Sequence, residues 1–499
     1  MLATVVCIGS LWLATAGAQA GQRQAGTQPD YLAIVKAYAN AMITKGRDVY
    51  GSVHSPLFAS ALDRRTMQIG SFGNIPGVRD GDRSLGGANP QVDADLYAIL
   101  YRLTTLTGEQ RYADEADRAL KFFFSHCQSP KTGLMAWGEH LYWDFRREAP
   151  GGDDSKHEIC GEWPFWDQCY RLAPRACWRF AIGLWDHQVA DKTTGDFSRH
   201  ARWSRHGPQR GAEFPRYAGQ MIATWTDAYL RKENRSMPRR PELVTAIAVV
   251  VGRMENNLKK SPTGYLPAGS DKIHRRISWP SHNLELARCL WNSVPHMNGE
   301  LARRMKKLAL RMDHDFFRMP HTISSSGGGF VATIDTITGK PRIRLMGSGL
   351  KNLPYTTTWE VNYGQKTHAR MANRCYQRFK QLETTHPDLA RKYQQMILSA
   401  ADLYLRTKPD PDTLVKPKAV AEVITLLLNA WNITGNRKYL DRADYFGRMG
   451  IELFLDDGLP LPKATNRHDH YESITGGPFF MHTLLKLYEA KNNLGRPRD

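Results

Sequence analysis

The chain has 499 residues, of which 41% are hydrophobic and 23% charged, and this balance is typical of a globular protein and excludes a disordered one. Its 68 Lys and Arg residues outnumber the 49 Asp and Glu residues, which gives a formal net charge of +19. Such an excess attracts polyanions: nucleic acid, an anionic membrane or an acidic polysaccharide. Because the basic residues are spread along the chain and form no single block, we expect no nucleic-acid partner. A basic, solvated surface explains the charge alone equally well.

The first twenty residues resemble an export signal. Residues 2–16 are mostly apolar, and Ala18-Gln-Ala20 has the small residues of a cleavage site, although no Lys or Arg precedes the apolar stretch. The sequence therefore predicts a signal peptide over residues 1–20 and a soluble mature chain that is periplasmic or secreted. No other segment is apolar over a length that would cross a membrane, so we expect no stable membrane insertion.

Cleavage would remove Cys7 and leave six of the seven cysteines in a long chain. This number is too small for a disulfide framework, although one or two bridges would suit an exported protein. No Cys-x-x-Cys pair occurs, which disfavours a structural zinc site. The sequence therefore favours buried free thiols.

Helical periodicity dominates the chain. Residues 95–106 carry apolar side chains at three- and four-residue spacing, and a second amphipathic segment covers residues 112–124. The same pattern returns over residues 419–431, and the sequence of residues 434–444 is similar to that of residues 107–117. Such self-similarity indicates a repeated helix-turn-helix unit.

A second repeated element follows helical segments. Ser129-Pro-Lys-Thr-Gly133, Lys192-Thr-Thr-Gly195 and Ser261-Pro-Thr-Gly264 recur at intervals of 62 and 69 residues, each before an aromatic-containing, non-helical stretch. Hairpins at this interval, with long loops on one side, predict an all-α fold, an (α/α) toroid whose loops surround a cleft. A helical solenoid has similar repeats and is the alternative. Residues 325–365 predict a small β insertion, and we expect one catalytic domain over residues 21–499.

Candidate functional residues follow these turns directly. His140 lies seven residues after Gly133, and Arg199-His200 lies four and five residues after Gly195. Equivalent loops of a toroid converge on one mouth, so these residues are expected to share one pocket, together with His157-Glu158. Imidazole nitrogens and carboxylate oxygens are ligands for divalent metal ions, and a metal ion with an arginine can hold the carboxylate of a uronic acid.

Several short motifs stand in order along the N-terminal half: Gly46-Arg-Asp-Val-Tyr-Gly51, Ser55-Pro-Leu-Phe58, Trp137-Gly-Glu-His140, His157-Glu158, Trp185-Asp-His187 and Arg199-His200. They resemble polysaccharide lyase family 2, the metal-dependent pectate lyases built on an (α/α) barrel, over roughly residues 40–220. The resemblance implies a lyase that cleaves a uronate polymer, with polygalacturonate (pectate) the first candidate, by β-elimination. It also implies a manganese-like ion held by His140, Glu158 and His200, with Arg199 as the base. Ca²⁺, Mg²⁺ and Zn²⁺ are the alternative ions.

The role of base is chemically demanding. β-Elimination removes a weakly acidic proton next to the uronate carboxylate, and a divalent ion on that carboxylate stabilises the charge that develops. Arginine is protonated at accessible pH values, so Arg199 needs surroundings that disfavour its charge, such as burial beside a metal ion. A neighbouring lysine or a metal-bound hydroxide is the alternative base.

Further side chains are candidates for substrate binding: Trp137, His187, Arg205, His206, Arg216, His468 and His470. Aromatic rings stack on sugar faces, and arginines pair with carboxylates. Each also has a structural interpretation. Most tryptophans belong to cores, His187 lies in an apolar helical segment, and the loop around His470 is polar whatever its function.

Two other functions remain open. A glycoside hydrolase on the same toroid, acting on unsaturated or other uronide oligosaccharides, needs two carboxylates that flank the bond. The acids available for such a pair are Asp82, Asp93, Glu139, Asp144 and Glu360. A non-catalytic helical repeat protein that binds acidic glycans would need only the positive charge. The polymer cleaved, endo or exo action and the oligomeric state are also left open.

Overall fold

Helices separated by turns and short strands make up the protein. The computed structural model describes residues 29–345, 351–360 and 365–494, so the predicted signal peptide over residues 1–20 lies outside the described residues. In chain order, the described helices are α1 (Tyr31–Lys45), α2 (Ala94–Thr107), α3 (Arg111–His126), α4 (Trp166–Leu172), α5 (Pro174–Gly183), α6 (Pro215–Leu230), α7 (Arg240–Lys259), α8 (Pro280–Ser293), α9 (Gly299–Arg318), α10 (His368–Leu382), α11 (Pro387–Arg406), α12 (Pro417–Thr434), α13 (Arg437–Phe454) and α14 (Gly477–Lys491).

Short antiparallel strands lie between the helices. They are β1 (Ala61–Asp63), β2 (Gly87–Ala88), β3 (Leu141–Asp144), β4 (Ala149–Gly152), β5 (Val189–Asp191), β6 (Asp196–Phe197), β7 (Ile277–Ser278), β8 (Ile334–Asp335), β9 (Arg344–Leu345), β10 (Lys351–Asn352) and β11 (His470–Glu472). The strand β3 lies between β2 and β4, and the other strands pair as β1 with β11, β5 with β6, β7 with β8 and β9 with β10. The pairing of β1 with β11 joins the two ends of the helical array.

The helical hairpins close into a ring. Along the inner layer, α2 packs on α14, α14 on α12, α12 on α10, α10 on α8 and α8 on α6. The ring is completed through α5, which contacts both α6 and α3, and α3 in turn packs on α2. The helices α7, α9, α11 and α13 pack on this layer as second members of their hairpins. The fold is therefore the predicted (α/α) toroid and not an open solenoid, because the last inner helix contacts the first.

Burial distinguishes the two layers. Residues 420–424 of α12 are all buried, and five consecutive residues cannot lie on one face of a helix. In α9, by contrast, the buried apolar residues Met305, Leu308, Met312 and Phe316 recur at three- and four-residue spacing. The helix α12 is therefore enclosed on all sides, whereas α9 buries one stripe. None of the described helices has both the length and the apolar character required to cross a bilayer.

The repeats seen in the sequence correspond to structural units. The similar segments form the hairpins α2–α3 and α12–α13, each joined at a glycine. The recurring Thr-Gly element is a tight turn in which Gly133 and Gly195 have φ of +74° and +71°. A Cβ at Gly133 would lie 2.5 Å from the carbonyl oxygen of Arg179, so this turn requires glycine.

The predicted β insertion consists only of very short strands. The strands β8, β9 and β10 fall within residues 325–365, of which residues 346–350 and 361–364 lie outside the described parts of the chain. Ile277 of β7 pairs with Asp335 of β8, which attaches the insertion to the segment before α8. The β3–β4 hairpin was not predicted from the sequence, because its four-residue strands are too short to show a clear alternation.

The cysteines agree with the sequence prediction. All six described cysteines are free, and five of them are buried. The exception is Cys160, which is half-buried. The five buried thiols therefore serve as small core side chains, and the six described cysteines form no disulfide with one another.

A buried ion pair joins α9, α10 and α11. Nε and Nη2 of Arg378 donate to the two carboxylate oxygens of Asp313 at 2.9 and 2.6 Å, and both side chains are 0% exposed. Tyr393 donates its hydroxyl proton to Asp313 at 2.8 Å. Because a buried charge without its partner is costly, this contact holds the three helices in one arrangement.

We expect Asp313→Ala to lower the free energy of unfolding by about 3–5 kcal/mol, because it leaves the Arg378 guanidinium buried without a counter-charge. Chemical and thermal unfolding followed by circular dichroism measures the change. Arg391→Ala is the matched control, since it breaks only an exposed ion pair with Asp388 and should change stability little. Equal unfolding midpoints for the two variants would contradict the role given to Asp313.

Candidate metal centre and cleft

Backbone pairing holds three segments with candidate ligands side by side. Gly138 forms a parallel bridge with Glu158, and His157 forms an antiparallel bridge with Ala201. The amide of Glu139 also donates to the carbonyl oxygen of Glu158 at 2.9 Å. The loop after the first Thr-Gly turn and the loop after the second therefore both flank the His157-Glu158 segment.

Two imidazoles face one carboxylate at this meeting point. Nε2 of His200 lies 3.0 Å from Oε2 of Glu158, and Nε2 of His140 lies 3.6 Å from the same oxygen. One ligand atom from each of the three residues lies within 4.8 Å of the others, so the group could hold a metal ion. The adjacent His157 stays apart from it, with Nδ1 3.4 Å from Oε1 of Gln188.

The orientation of His140 is set by a residue behind it. Its Nδ1 lies 2.9 Å from Oδ1 of Asp82, and the opposite nitrogen thus faces Glu158. Burial favours the neutral imidazole, but the Asp82 and Glu158 carboxylates outweigh it and raise the pKa of His140 to about 9. In His200 burial is the stronger effect and lowers the pKa. A carboxylate behind a ligating histidine commonly fixes its tautomer and orientation in metal sites.

The donor set fits a divalent ion. The Nε2 atoms of His140 and His200 are buried and lie near Oε2 of Glu158, but neither makes a hydrogen bond of normal geometry, which is unusual for polar atoms inside a protein. A cation between these atoms and Glu158 would satisfy all three groups at once. Two imidazoles with one carboxylate suit ions such as Mn²⁺ or Zn²⁺.

Two arginines balance the charge of Glu158. Nη1 of Arg199 lies 2.6 Å from Oε2, and Nη2 of Arg216 lies 2.5 Å from Oε1. Burial alone would raise the pKa of Glu158, but Arg216, the imidazoles of His140 and His200, and Arg199 together hold it well below its ordinary value. The carboxylate is therefore ionised, and Arg199 occupies the oxygen that also faces both imidazoles.

A cavity of about 470 Å³ lies at the mouth of the ring, where the inner helices begin. Each of six inner helices contributes a residue from its first turns to the cavity wall: Asp95, Arg216, Glu285, Arg370, Lys418 and Phe479. Backbone N–H groups at helix starts carry partial positive charge, so the helix ends and the basic side chains both favour an anionic ligand.

Arg216 connects the cavity to the candidate metal centre. It lines the cavity and donates through Nη2 to Oε2 of Glu139 at 2.9 Å as well as to Glu158. Burial works against its charge, but Glu158 and Glu139 outweigh that effect and raise the pKa of Arg216. A charged guanidinium therefore stands between the buried ligand group and the open cleft.

The structure places one predicted substrate-binding residue elsewhere than expected. Trp137 is 0% exposed and packs among core rings, with its centroid 5.0 Å from that of Trp163 and 5.5 Å from that of Phe180. It is thus not available to stack on a sugar. The prediction mistook a core tryptophan for a binding residue because the motif next to His140 does not indicate which way the ring points.

The predicted histidines and Arg205 also lie away from the described lining of the cavity. His187 and His206 form a separate pair, with their Nδ1 atoms 3.2 Å apart, and Arg205 is exposed beside them. His468 interacts with Thr465 in its own loop at 2.7 Å. Arg216 is the predicted substrate-binding residue that the structure brings to the cleft.

His470 belongs to a buried network. Its Nε2 lies 2.9 Å from Oε2 of Glu472, and its ring stacks on Phe72 with centroids 4.3 Å apart. Glu472 in turn accepts two hydrogen bonds from Arg83, at 2.8 and 2.7 Å. Glu472 directly precedes Ser473, which lines the cavity. The residues of the network do not line it themselves.

Sequence analysis missed the basic residues of the C-terminal half that line the cleft: Lys366, Arg370, Arg374, Lys416 and Lys418. They lie just before α10 and α12 or within the first two turns of these helices. The Lys-Pro-Lys sequence at 416–418 does mark a helix start, because proline favours the first helical position. Nothing in that signal shows that this helix end faces the cleft.

The comparisons with known proteins concern mainly the N-terminal half. A family model described as periplasmic pectate lyase matches residues 55–224, which include His140, Glu158, Arg199 and His200. The pectate disaccharide-lyase of Dickeya dadantii (strain 3937) is 24% identical over 110 residues, which is 21% of this chain and 20% of that protein. The chain thus matches about a fifth of that relative's length. The expected resemblance is confirmed for this segment.

Solved structures show a distant similarity. Cellobiose 2-epimerase from Bacillus thermoamylovorans B4167 is 9% identical, with 92% of this chain and 99% of that chain covered and a TM-score of 0.49. Unsaturated glucuronyl hydrolase from Bacillus sp. GL1 is 11% identical, with 92% and 96% covered and a TM-score of 0.41. These similarities carry no conclusion about function.

We expect Asp82→Asn to weaken binding of a divalent ion by about 10–100-fold, because it removes the carboxylate that orients His140. Glu158→Gln, which removes a ligand while keeping the side-chain volume, should abolish binding. Calorimetric titration with Mn²⁺ measures both effects. Asp80→Asn is the control, since this neighbouring carboxylate is 67% exposed and does not belong to the ligand group. Unchanged Mn²⁺ affinity in both Asp82→Asn and Glu158→Gln would contradict the site.

Proposed function

We propose that the protein is a metal-dependent lyase that cleaves a uronate polymer by β-elimination, with polygalacturonate as the first candidate substrate. The observation that carries the proposal is the group of His140, Glu158 and His200 with Arg199 on the same carboxylate. This group lies inside the segment that matches the pectate lyase family model. The basic cleft beside it supports an acidic substrate, because arginine and lysine side chains bind carboxylates.

The proposed cofactor is a divalent ion, with Mn²⁺ as the first candidate, held by His140, Glu158 and His200. When bound, it would supply Lewis-acid stabilisation of the negative charge on the uronate carboxylate. Asp82 would keep His140 in the orientation that ligation needs. Arg216, which lines the cavity and is paired with Glu139 and Glu158, is the proposed contact for the substrate carboxylate.

The proposed base is Arg199. In its neutral form it would accept the proton from C5 of the uronate, the C5–H electron pair would form a C4=C5 double bond, and the C4–O bond would break, with water supplying the proton that the leaving oxygen takes up. Its side chain is 19% exposed and lies over the ring of Phe214 at 4.8 Å. Since Arg199 now pairs with Glu158, it has to leave that oxygen before it contacts substrate.

A hydrolase is the second candidate, and one contact favours it. Asp82 and Glu139 line the cavity, and their ligand atoms lie within 4.8 Å of each other and of His140. Retaining glycosidases separate their two carboxyl groups by about 5–5.5 Å. Both acids are already engaged, Asp82 with His140 and Glu139 with Arg216, which makes this the weaker proposal.

The proposed location is the periplasm or the cell exterior. The predicted signal peptide over residues 1–20 and the description of the matching family as periplasmic support it.

Incubation with polygalacturonate and Mn²⁺ is expected to produce the ultraviolet absorbance of a 4,5-unsaturated uronide, because β-elimination creates a double bond conjugated with the carboxylate. Adding a chelator should stop the increase. Absorbance is followed together with the release of reducing ends. Reducing ends without absorbance would favour the hydrolase, and no turnover on a panel of uronate polymers would favour a binding protein.

Arg199→Lys should lower turnover by about 10²–10⁴-fold while leaving Mn²⁺ binding in place, because it removes the proposed base and keeps the ligands. The measurements are the initial rate of absorbance increase and a Mn²⁺ titration. Arg210→Lys serves as the control, since its guanidinium is 59% exposed and pairs with Asp191 and Asp196. Full activity in Arg199→Lys would rule out Arg199 as the base.

A further inference from the structure

The cavity wall formed by the starts of α10 and α12 carries two lysines without ionic partners. Lys366 lies two residues before α10, Lys418 lies in the first turn of α12, and both line the cavity. Among the described residues, no carboxylate forms a salt bridge with either ammonium group. The neighbouring basic residues differ: Arg370 pairs with Glu422 at 2.7 Å, and Lys416 pairs with Glu360 at 3.4 Å.

The two ammonium groups stand in a locally positive environment. The charge of Arg370 and burial lower the pKa of Lys418 to about 8. Burial, followed by Arg370, Arg216 and Lys418, holds the pKa of Lys366 well below its usual value. Glu422 opposes the shift in both lysines, but it is already the partner of Arg370. The lowered pKa values mean that no carboxylate offsets burial and the neighbouring positive charges at either lysine.

Helix geometry adds to the imbalance. The N-termini of α10 and α12 both lie at this wall, and the aligned peptide dipoles of each helix place partial positive charge at its start. A lysine in the first turn of a helix opposes the helix dipole, so Lys418 is unfavourable for α12 itself. A bound anion would relieve the repulsion among the lysines and interact favourably with both helix dipoles.

We propose that Lys366, Lys418 and Arg370 form an anion subsite that binds the carboxylate of a second uronate residue of the substrate chain. This proposal rests on the proposed function, in which the first uronate carboxylate is held near His140, Glu158 and His200. The substrate class is then a chain with at least two unesterified uronates close together. The cavity of about 470 Å³ is within the range of roughly 300–1,000 Å³ that small-ligand sites occupy.

Arg216 links the candidate metal centre to the proposed anion subsite. It contacts Glu158 at the candidate metal centre, and its charge also acts on Lys366 across the cavity. The lysine wall lies outside the segment of residues 55–224 that matches the family model. The subsite is therefore a property of this chain's C-terminal half and does not follow from that match.

The test is calorimetric binding of trigalacturonate to the protein in chelator, where turnover is suppressed. Lys366→Met/Lys418→Met should bind about tenfold or more weakly, because each charged hydrogen bond to a carboxylate contributes strongly. Fully methyl-esterified trigalacturonate should bind wild type weakly and should not distinguish the variant from wild type. Lys259→Met/Lys260→Met, which changes an exposed lysine pair at the C-terminal end of α7, is the matched control and should bind normally.

Lys366→Arg/Lys418→Arg separates a binding role from a structural one. This variant keeps both charges and should retain affinity for trigalacturonate. In wild type, binding at pH 8 should take up protons, because a bound anion raises lowered lysine pKa values. The arginine variant should bind without that uptake, since arginine is already protonated. Calorimetry in two buffers with different ionisation enthalpies measures the uptake.

Wild-type affinity in the methionine variant, with its fold verified by circular dichroism, would overturn the subsite. So would equal binding of esterified and unesterified trigalacturonate by wild type. The proposed function fails independently of this test. Lysine-dependent binding without any unsaturated product from polygalacturonate would keep the subsite and remove the lyase. Product formation with binding that does not depend on either lysine would keep the lyase and remove the subsite.

Discussion

Glu158 is the residue on which the arrangement of the site depends. Its carboxylate is 0% exposed and ionised, and moving such a group out of water costs several kcal/mol unless charges nearby compensate. Compensation comes from Arg216 at the start of α6, from Arg199 and His200 after β6, and from His140 before β3. If any of these segments moved away, the buried charge of Glu158 would lose part of its compensation. The carboxylate thus organises the loops around it.

Closure of the helical ring is the second constraint. Because the inner helices begin at the same end of the toroid, their positive N-termini and the basic residues near them surround one cavity. Acidic side chains such as Glu285 and Glu422 neutralise part of this charge through Arg374 and Arg370. The remainder is available to an anionic ligand.

Only one side of the cleft lies in the segment that matches the family model. The side with Glu158 lies in the segment that matches the family model, and its ligands stand on loops between short strands. The opposite side is built from helix starts of the C-terminal half, where the match ends. In a toroid of this kind, the two sides of the cavity can vary independently, because each hairpin contributes its own residues to it.

The sequence by itself predicted the helical fold, the repeated hairpins and glycine turns, and the residues proposed for the candidate metal centre. Helical periodicity and a Thr-Gly turn are local properties. His140, Glu158 and Arg199-His200 belong to short motifs that can be recognised without knowledge of their surroundings. The same motifs misled at Trp137, since a motif does not show whether a ring points to the core or to the cleft.

Tertiary structure decided everything that depends on which distant residues meet. The partner of His140, Asp82, lies 58 positions away along the chain, and Lys366 and Lys418 reach the cleft only because the ring closes and α10 and α12 start at its mouth. No local pattern marks such residues, because the energy that brings them together comes from the packing of whole helices. The sequence therefore predicted one wall of the site, and the closed ring alone revealed the other.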